Sequence, residues 1–319
     1  MHLLIPFASA ASPSAQDVLR DLALPHLTQL LKRLVPIQRL EGDEYSLTPP
    51  HERALAAAWG WQGSDGCWPF AAEAAAADGL AVGDHAWGLM TPTHWLVGRD
   101  HISLTDPETL QLQEPESRAI FEAVRDLFES EGFVMHWAAP SRWYLQHDSL
   151  AELPCASLDR VLGRNVDLWL QASATTAQST QAELRKLRRL QNEFQMLLYP
   201  HDITNQRDAR GLLAVNSFWL SGCGRWQAKT TAQAIEVNQW LRASLLADDW
   251  VSWRDAWLRL DATVLAALNQ AAQQGQAVKL TLCGERHAQT WQTQVQHSIW
   301  TRLKNAFTTP DTAAWLQAL

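Results

Sequence analysis

The sequence predicts an α/β protein that carries an inserted α+β unit, and three observations lead there. The chain opens on a continuous apolar run, HLLIPF at 2–7, of the kind a strand buried on both faces requires. Strand-like and helical stretches then alternate along most of the length. A strand–strand–helix–strand–strand block fills 84–146 and forms a compact unit of its own. The expected organisation is a core domain from 1–83 and 147–319, interrupted by an α+β subdomain at 84–146.

After the first strand, Pro13 and Ser14 open a helix with Val18, Leu19 and Leu22 on one side. A second starts at Pro25, a favoured first helical position, and carries Leu27, Leu30, Leu31 and Leu34. Residues 41–50, with Gly42, Asp43, Pro49 and Pro50, read as loop. Alanine-rich helices follow at 51–59 and 69–78, separated by GWQGSDG at 60–66. Strands at 86–97 and 101–105 join across Gly98-Arg99-Asp100. Pro115 begins an amphipathic helix with Ile120, Phe121, Val124, Leu127 and Phe128 on its buried face and Gly132 at its end. A hairpin at 133–138 and 142–146 turns at Pro140-Ser141.

Beyond Pro154 and GRNVDLWL at 163–170, the polar stretch 172–181 reads as a surface loop leading into a helix at 181–198. That helix buries Leu184, Leu187, Leu190, Phe194 and Leu197, turns Lys186, Arg188 and Arg189 outward, and stops at Pro200. LAVNSFWLSGCG at 213–224 predicts a buried strand running into a glycine-rich turn. The rest is helical to about 274, followed by a strand at 277–283, a polar strand or loop, and a last helix near 300–307.

The 319 residues hold 26 Lys and Arg against 34 Asp and Glu, a formal charge of −8. An acidic chain without a basic block is poorly suited to nucleic acid, because phosphate contacts are made by Lys and Arg. At 47% hydrophobic and 19% charged residues, a buried core is expected rather than disorder. Cys67, Cys155, Cys223 and Cys283 follow no CxxC or zinc-ribbon spacing, which fits reduced thiols used as small apolar groups in a cytoplasmic protein. The apolar run before Ala-Ser-Ala at 8–10 is too short for an export signal, and no stretch suits a membrane span. The 17 tryptophans show no fixed period; Trp250, Trp253 and Trp257 have the spacing of a core-facing helical stripe.

The chemistry-bearing residues concentrate late in the chain. Ser221-Gly222-Cys223-Gly224-Arg225 places small residues and a cation after a strand, where backbone N–H groups can converge on an anion and Arg225 can add a forked hydrogen bond. The alternative is a plain tight turn. It is neither a P-loop nor a dinucleotide fingerprint. Arg164, His201, Asn205, Arg207, Arg210 and Asn216 lie in the flanking sequence. With Gly222, Gly224 and Arg225 they make a candidate pocket for a phosphate or carboxylate, unless Arg207 and Arg210 are solvated loop residues. Arg225 is near enough in sequence to lower the Cys223 thiol pKa. No HExxH or HxH occurs, and Cys283 with His287 lacks a second pair, so no metal site is expected.

The segment 184–225, LRKLRRLQNEFQMLLYPHDITNQRDARGLLAVNSFWLSGCGR, resembles a block in relatives of the cofactor-independent phosphoglycerate mutases. Glu193, Gln195-Met196, the His201/Asn205/Arg207 turn, Asn216-Ser217 and Trp219 carry the resemblance. THWLVGRDHISL at 93–104, SRWYL at 141–145 and GRNVDLWL at 163–170 are similar to blocks of a bacterial RpfE-type (regulation of pathogenicity factors) group. This resemblance implies an alkaline-phosphatase-like core sheet with helices on both faces. It also implies a Ser or Thr nucleophile and two metal ions held by Asp and His in the active enzymes. The sequence departs from that pattern after the first strand, where ASAASPS stands in place of an acidic ligand; Ser9, Ser12 and Ser14 have no evident activating partner.

The expectation is therefore a mutase-like protein without metal-dependent catalysis or cofactor, binding a small phosphorylated or carboxylated metabolite in a regulatory role. Two alternatives stand beside it. One is an active phosphomutase or phosphatase with divalent metal around Asp84, His85, His94, Asp100 or His101. The other is an interaction scaffold whose Trp-rich C-terminal helices meet a protein partner. Neither nucleic acid nor membrane is an expected partner.

Overall fold

The computed structural model describes residues 1–170, 178–231, 233–293 and 311–319. Most of the polar 172–181 stretch and all of the helix expected near 300–307 lie outside them. The chain divides into two compact units: Met1–Tyr45, Pro49–Gly60 and Lys229–Leu319 form one, and Ser46–Thr48 with Trp61–Ala228 the other.

The first unit is built on a five-stranded sheet. Its strands are β1 (His2–Ile5), β2 (Leu34–Leu40), β9 (Ile235–Val237), β10 (Lys279–Cys283) and β11 (Ala288–Thr293), in the order β2-β11-β10-β1-β9. β1 pairs in parallel with both β9 and β10, while β11 runs antiparallel to β10 and β2. Having neighbours on both sides explains why β1 is apolar without alternation: all four of its residues are buried. Leu3 and Ile5 face a core shared with α1 (Pro13–Asp21), α2 (Pro25–Leu31), α11 (Trp250–Leu260) and α12 (Ala266–Gln273). Leu4 faces the other way, with Cys283 and Ala288, onto Ala54 of α3 (Pro50–Trp59). Helices thus cover both faces, as expected of an α/β sheet.

Two elements of this unit differ from the sequence reading. Leu34 ends no helix; it begins β2, an edge strand that tolerates Pro36 where the register with β11 shifts. Residues 235–237, expected to be helical, form the opposite edge, β9. The tryptophan stripe is as expected, with Trp253 and Trp257 wholly buried, which counts against a partner surface made of those rings.

The second unit holds a four-stranded antiparallel sheet. Its strands are β3 (Ala86–Thr93), β6 (Val134–Ala139), β7 (Arg142–Gln146) and β8 (Ser217–Arg225), in the order β6-β7-β3-β8. Met90, Trp143, Leu145, Phe218 and Leu220 on one face pack against α5 (Glu114–Glu129) and α8 (Gln178–Leu198). The other face takes α4 (Phe70–Ala77), whose Ala71, Ala72 and Ala75 meet Trp87 and Tyr144. A separate ribbon, β4 (Trp95–Val97) with β5 (Ile102–Leu104), follows β3. β3 stops at Thr93 because the Asn216 side chain takes over the next backbone pair: its Oδ1 accepts from Trp95 N at 2.7 Å and its Nδ2 donates to Trp95 O at 3.0 Å.

Strand 217–225, expected in the core domain, is the long partner of β3 and belongs to the sheet of the 84–146 block. The unit containing that block accordingly runs from Trp61 to Ala228 rather than from 84 to 146. Alternation along β8 is the physical reason, since Phe218 and Leu220 are needed to fill the α5–α8 layer.

Candidate functional site

The nine residues expected to gather around an anion do not form one pocket. Arg207, on α9 (Asp202–Asp208), is wholly buried and spends its guanidinium on the protein. Its Nε donates to Leu213 O at 2.7 Å, Nη1 pairs with Glu116 and Nη2 donates to Leu110 O. Burial pulls its pKa down while Glu116 holds the charge in place. Arg210 pairs with the other oxygen of Glu116. His201 caps α9, its Nδ1 accepting from Ile203 N at 3.2 Å, and Asn205 is exposed on the same helix. Arg164 lies on the loop after α6 (Leu158–Val161), half-buried. Arg225 donates to Asp84 O and pairs with Asp148 at 3.1 Å. It sits at the far end of β8 from Asn216, roughly 30 Å away at strand rise.

The glycine-rich turn is strand. β8 continues through Gly222 and Gly224 with a register shift against β3 between Trp87 and Leu89. Gly222 has φ +63°, and a Cβ there would stand 2.8 Å from Ala71 N; at Gly224 it would stand 3.1 Å from Pro69 Cα. Both glycines admit the start of α4 against the strand, so their lack of a side chain serves packing. The Cys223 thiol is pushed well up, by its hydrogen bond to Cys155 and by burial, and not down by Arg225.

The alternative metal ligands are also dispersed. His85 precedes β3 and lies 3.9 Å from Asp148, whereas His94 follows β3 and bonds Ala214 O at 2.8 Å. Asp100 and His101 are exposed at the tip of the β4–β5 ribbon. Among the described residues, no three His, Cys, Asp or Glu side chains converge on a point that could hold a metal ion. Among the described residues, then, these candidates do not assemble a two-cation centre.

Polar groups do assemble at the carboxyl edge of β1, β9 and β10, where open α/β sheets receive ligands. Phe7 adopts φ +58° just past β1, a conformation costing an aromatic residue about 1–3 kcal/mol. It is held there by Trp253 Nε1, which donates to Phe7 O at 3.1 Å, and by the His51 ring at 5.1 Å. Ala8 N donates to Cys283 O at 2.8 Å, anchoring the loop to the end of β10. The loop then presents Ala11 N to Glu285 Oε2 at 2.8 Å, ahead of α1, whose cap is Ser12. Gln16 reaches back from α1 to Ala10 O at 2.6 Å.

A cavity of about 110 Å³ is lined there by Ser9, Ala11, Gln16, Glu285, Arg286 and His287 among others. Gly42 N donates to His287 Nδ1 at 3.2 Å, which places the proton of the neutral ring on Nε2. The His287 pKa is lowered, first by burial and then by Arg39, with Arg53 and Arg286 adding to the effect against Glu41. Arg286 is paired with Glu44 and Arg39 lies 3.7 Å from Glu41, and Glu285 lines the cavity, so charges of both signs meet there. Sequence reasoning stopped at the absence of an acidic ligand after β1 and missed this edge; Glu285 and His287, two residues apart after a predicted strand, were the available signal.

No protein-family model matches the sequence, and no curated protein matches it. Among solved structures, the chain is similar to a cofactor-independent phosphoglycerate mutase from Thermoplasma acidophilum DSM 1728. The two share 11% identity over 99% of this chain and 98% of that one, with a TM-score of 0.39. It is also similar to the PH0037 protein from Pyrococcus horikoshii, at 11% identity over 92% and 87% of the two chains and a TM-score of 0.46. These are distant likenesses of layout and say nothing of activity. Among the described residues, no helix is long and apolar enough to cross a membrane.

Proposed function

We propose that this chain is a mutase-like protein that binds a small carboxylated or phosphorylated metabolite without metal-dependent turnover. The seat is the carboxyl edge of β1, β9 and β10, not the arginines of 164–225. One observation carries the reading: a carboxylate oxygen of the chain itself, from Glu285, already occupies the Ala11 N–H at the mouth of α1. A ligand oxyanion displaces Glu285 and takes that donor, the partial positive charge of the helix start and the Nε2–H of His287. Arg39, Arg53 and Arg286 stand near the same ring, and Arg286, paired with Glu44, is the cation that lines the cavity. The alkaline-phosphatase-type fold and the kinship with phosphoglycerate mutases and the RpfE-type group remain part of the proposal, on the residue blocks quoted above. Binding without turnover suits a sensing task.

Thermal unfolding with inorganic phosphate, 3-phosphoglycerate and citrate tests it. At least one anion raises the midpoint, Glu285→Gln strengthens the response several-fold by removing the internal competitor, and Arg286→Ala weakens it. No response to any of the three overturns the reading. Bound metal in the purified protein, together with phosphoglycerate turnover in manganese, replaces it with the enzyme.

A further inference from the structure

Three of the four thiols gather in the Trp61–Ala228 unit. The Cys223 Sγ lies 3.6 Å from the Cys155 Sγ, and both side chains are buried. Cys155 N donates to Gly66 O at 3.0 Å, which draws the neighbouring Cys67 to the same place. Cys67 is the more accessible of the three. Its ionisation is felt at Cys223, and that of Cys155 is felt at Cys67, so the three lie within electrostatic reach of one another. No disulfide links any of them.

We propose that Cys67, Cys155 and Cys223 form a thiol relay, in which a low-molecular-weight disulfide oxidises the outer Cys67 and the bond migrates inward to Cys155–Cys223. The steps balance. The Cys67 thiolate attacks RSSR, forming Cys67–S–S–R and releasing RS⁻, which takes the Cys67 proton. Cys155 attacks the Cys67 sulfur, expels a second thiol RSH and leaves Cys67–S–S–Cys155. Cys223 then attacks the Cys155 sulfur, and its proton passes to the departing Cys67 thiolate. The net change is two protein thiols oxidised and one external disulfide reduced to two thiols.

The order follows from burial. Cys223 is closed to an external disulfide, and its raised thiol pKa makes it a slow attacker except at very short range; burial raises the Cys67 thiol pKa as well, but Cys67 alone of the three is only partly buried. The last exchange is favoured because it leaves a neutral disulfide in the apolar interior and returns the ionisable thiol to Cys67. The 3.6 Å separation closes to about 2 Å through side-chain rotation.

The test is incubation of the whole protein with oxidised glutathione, then denaturation in alkylating agent and non-reducing peptide mass mapping. The expected product is a Cys155–Cys223 crosslink, with Cys67 and Cys283 alkylated. Cys67→Ser slows its formation at least tenfold, and Cys223→Ser halts the reaction at Cys67–Cys155. Recovery of Cys155 and Cys223 as free thiols after prolonged oxidation overturns the proposal. So does a crosslink that forms in Cys67→Ser at the unaltered rate. Circular dichroism of each serine variant separates a lost relay from a lost fold.

Discussion

Arg207 carries a full charge into the interior, and three protein acceptors consume its donors. Removing it strands Glu116 beside Arg210 alone. Arg207→Ala is expected to cost about 3–5 kcal/mol in urea unfolding, the usual penalty for breaking a buried pair, with anion binding unchanged in the folded fraction. Asp261 does comparable work for α2: its oxygens accept from His26 N at 3.2 Å and Leu27 N at 2.8 Å, although burial raises its pKa. Asp261→Ala should cost about 1–2 kcal/mol, the worth of a lost cap.

His2 sets a pH dependence. Burial, then Lys279 and the amino terminus, lower its pKa from 6.5 to about 4. Between those values the unfolded chain binds the proton and the native chain does not. Stability from this group is therefore complete above pH 6.5 and is lost as pH falls toward 4, by at most about 3 kcal/mol. Urea midpoints of the wild type and His2→Gln across pH 4–7 check this; the difference isolates His2, because the raised Asp261 carboxyl works in the opposite sense.

At the scale of elements, the longer helices were legible because their stripes are unbroken, whereas α9, whose residues read as a turn, was not. Val124, Phe128, Leu190 and Phe194 fall on buried faces as their spacing requires. Short edge strands were not legible: β9 has three residues and β2 contains a proline, and only their partners make them strands. The glycines of β8 misled for a related reason. A glycine that spares a turn and one that admits a helix look alike until the helix is in place. Gly222→Ala should destabilise by about 1–3 kcal/mol, through the +63° backbone and the 2.8 Å approach to Ala71 N, and leave anion affinity intact. An equilibrium unfolding series with a phosphate titration separates the two effects.

For the molecule as a whole, the α/β class and the apolar first strand were readable, whereas the grouping of elements into units was not. Grouping depends on which strand pairs with which, and β8 could join its sheet only through a register that no local pattern encodes. The same holds for the candidate seat, whose parts come from 7–16 and 284–287. The Trp61–Ala228 unit has its own sheet and core. A chain cut to those residues should still unfold cooperatively in near-ultraviolet circular dichroism. It should be weakened by loss of the bonds from Leu47 N and Thr48 N to Asp65, each 2.8 Å.

β1 pairs with residues 235–237 and 279–282. During translation it is made well before these partners and waits for them, roughly ten seconds or more at ordinary elongation rates. A nascent apolar strand held open that long is exposed to aggregation. Its misfolding hazard lies in this delay rather than in any weakness of the finished sheet.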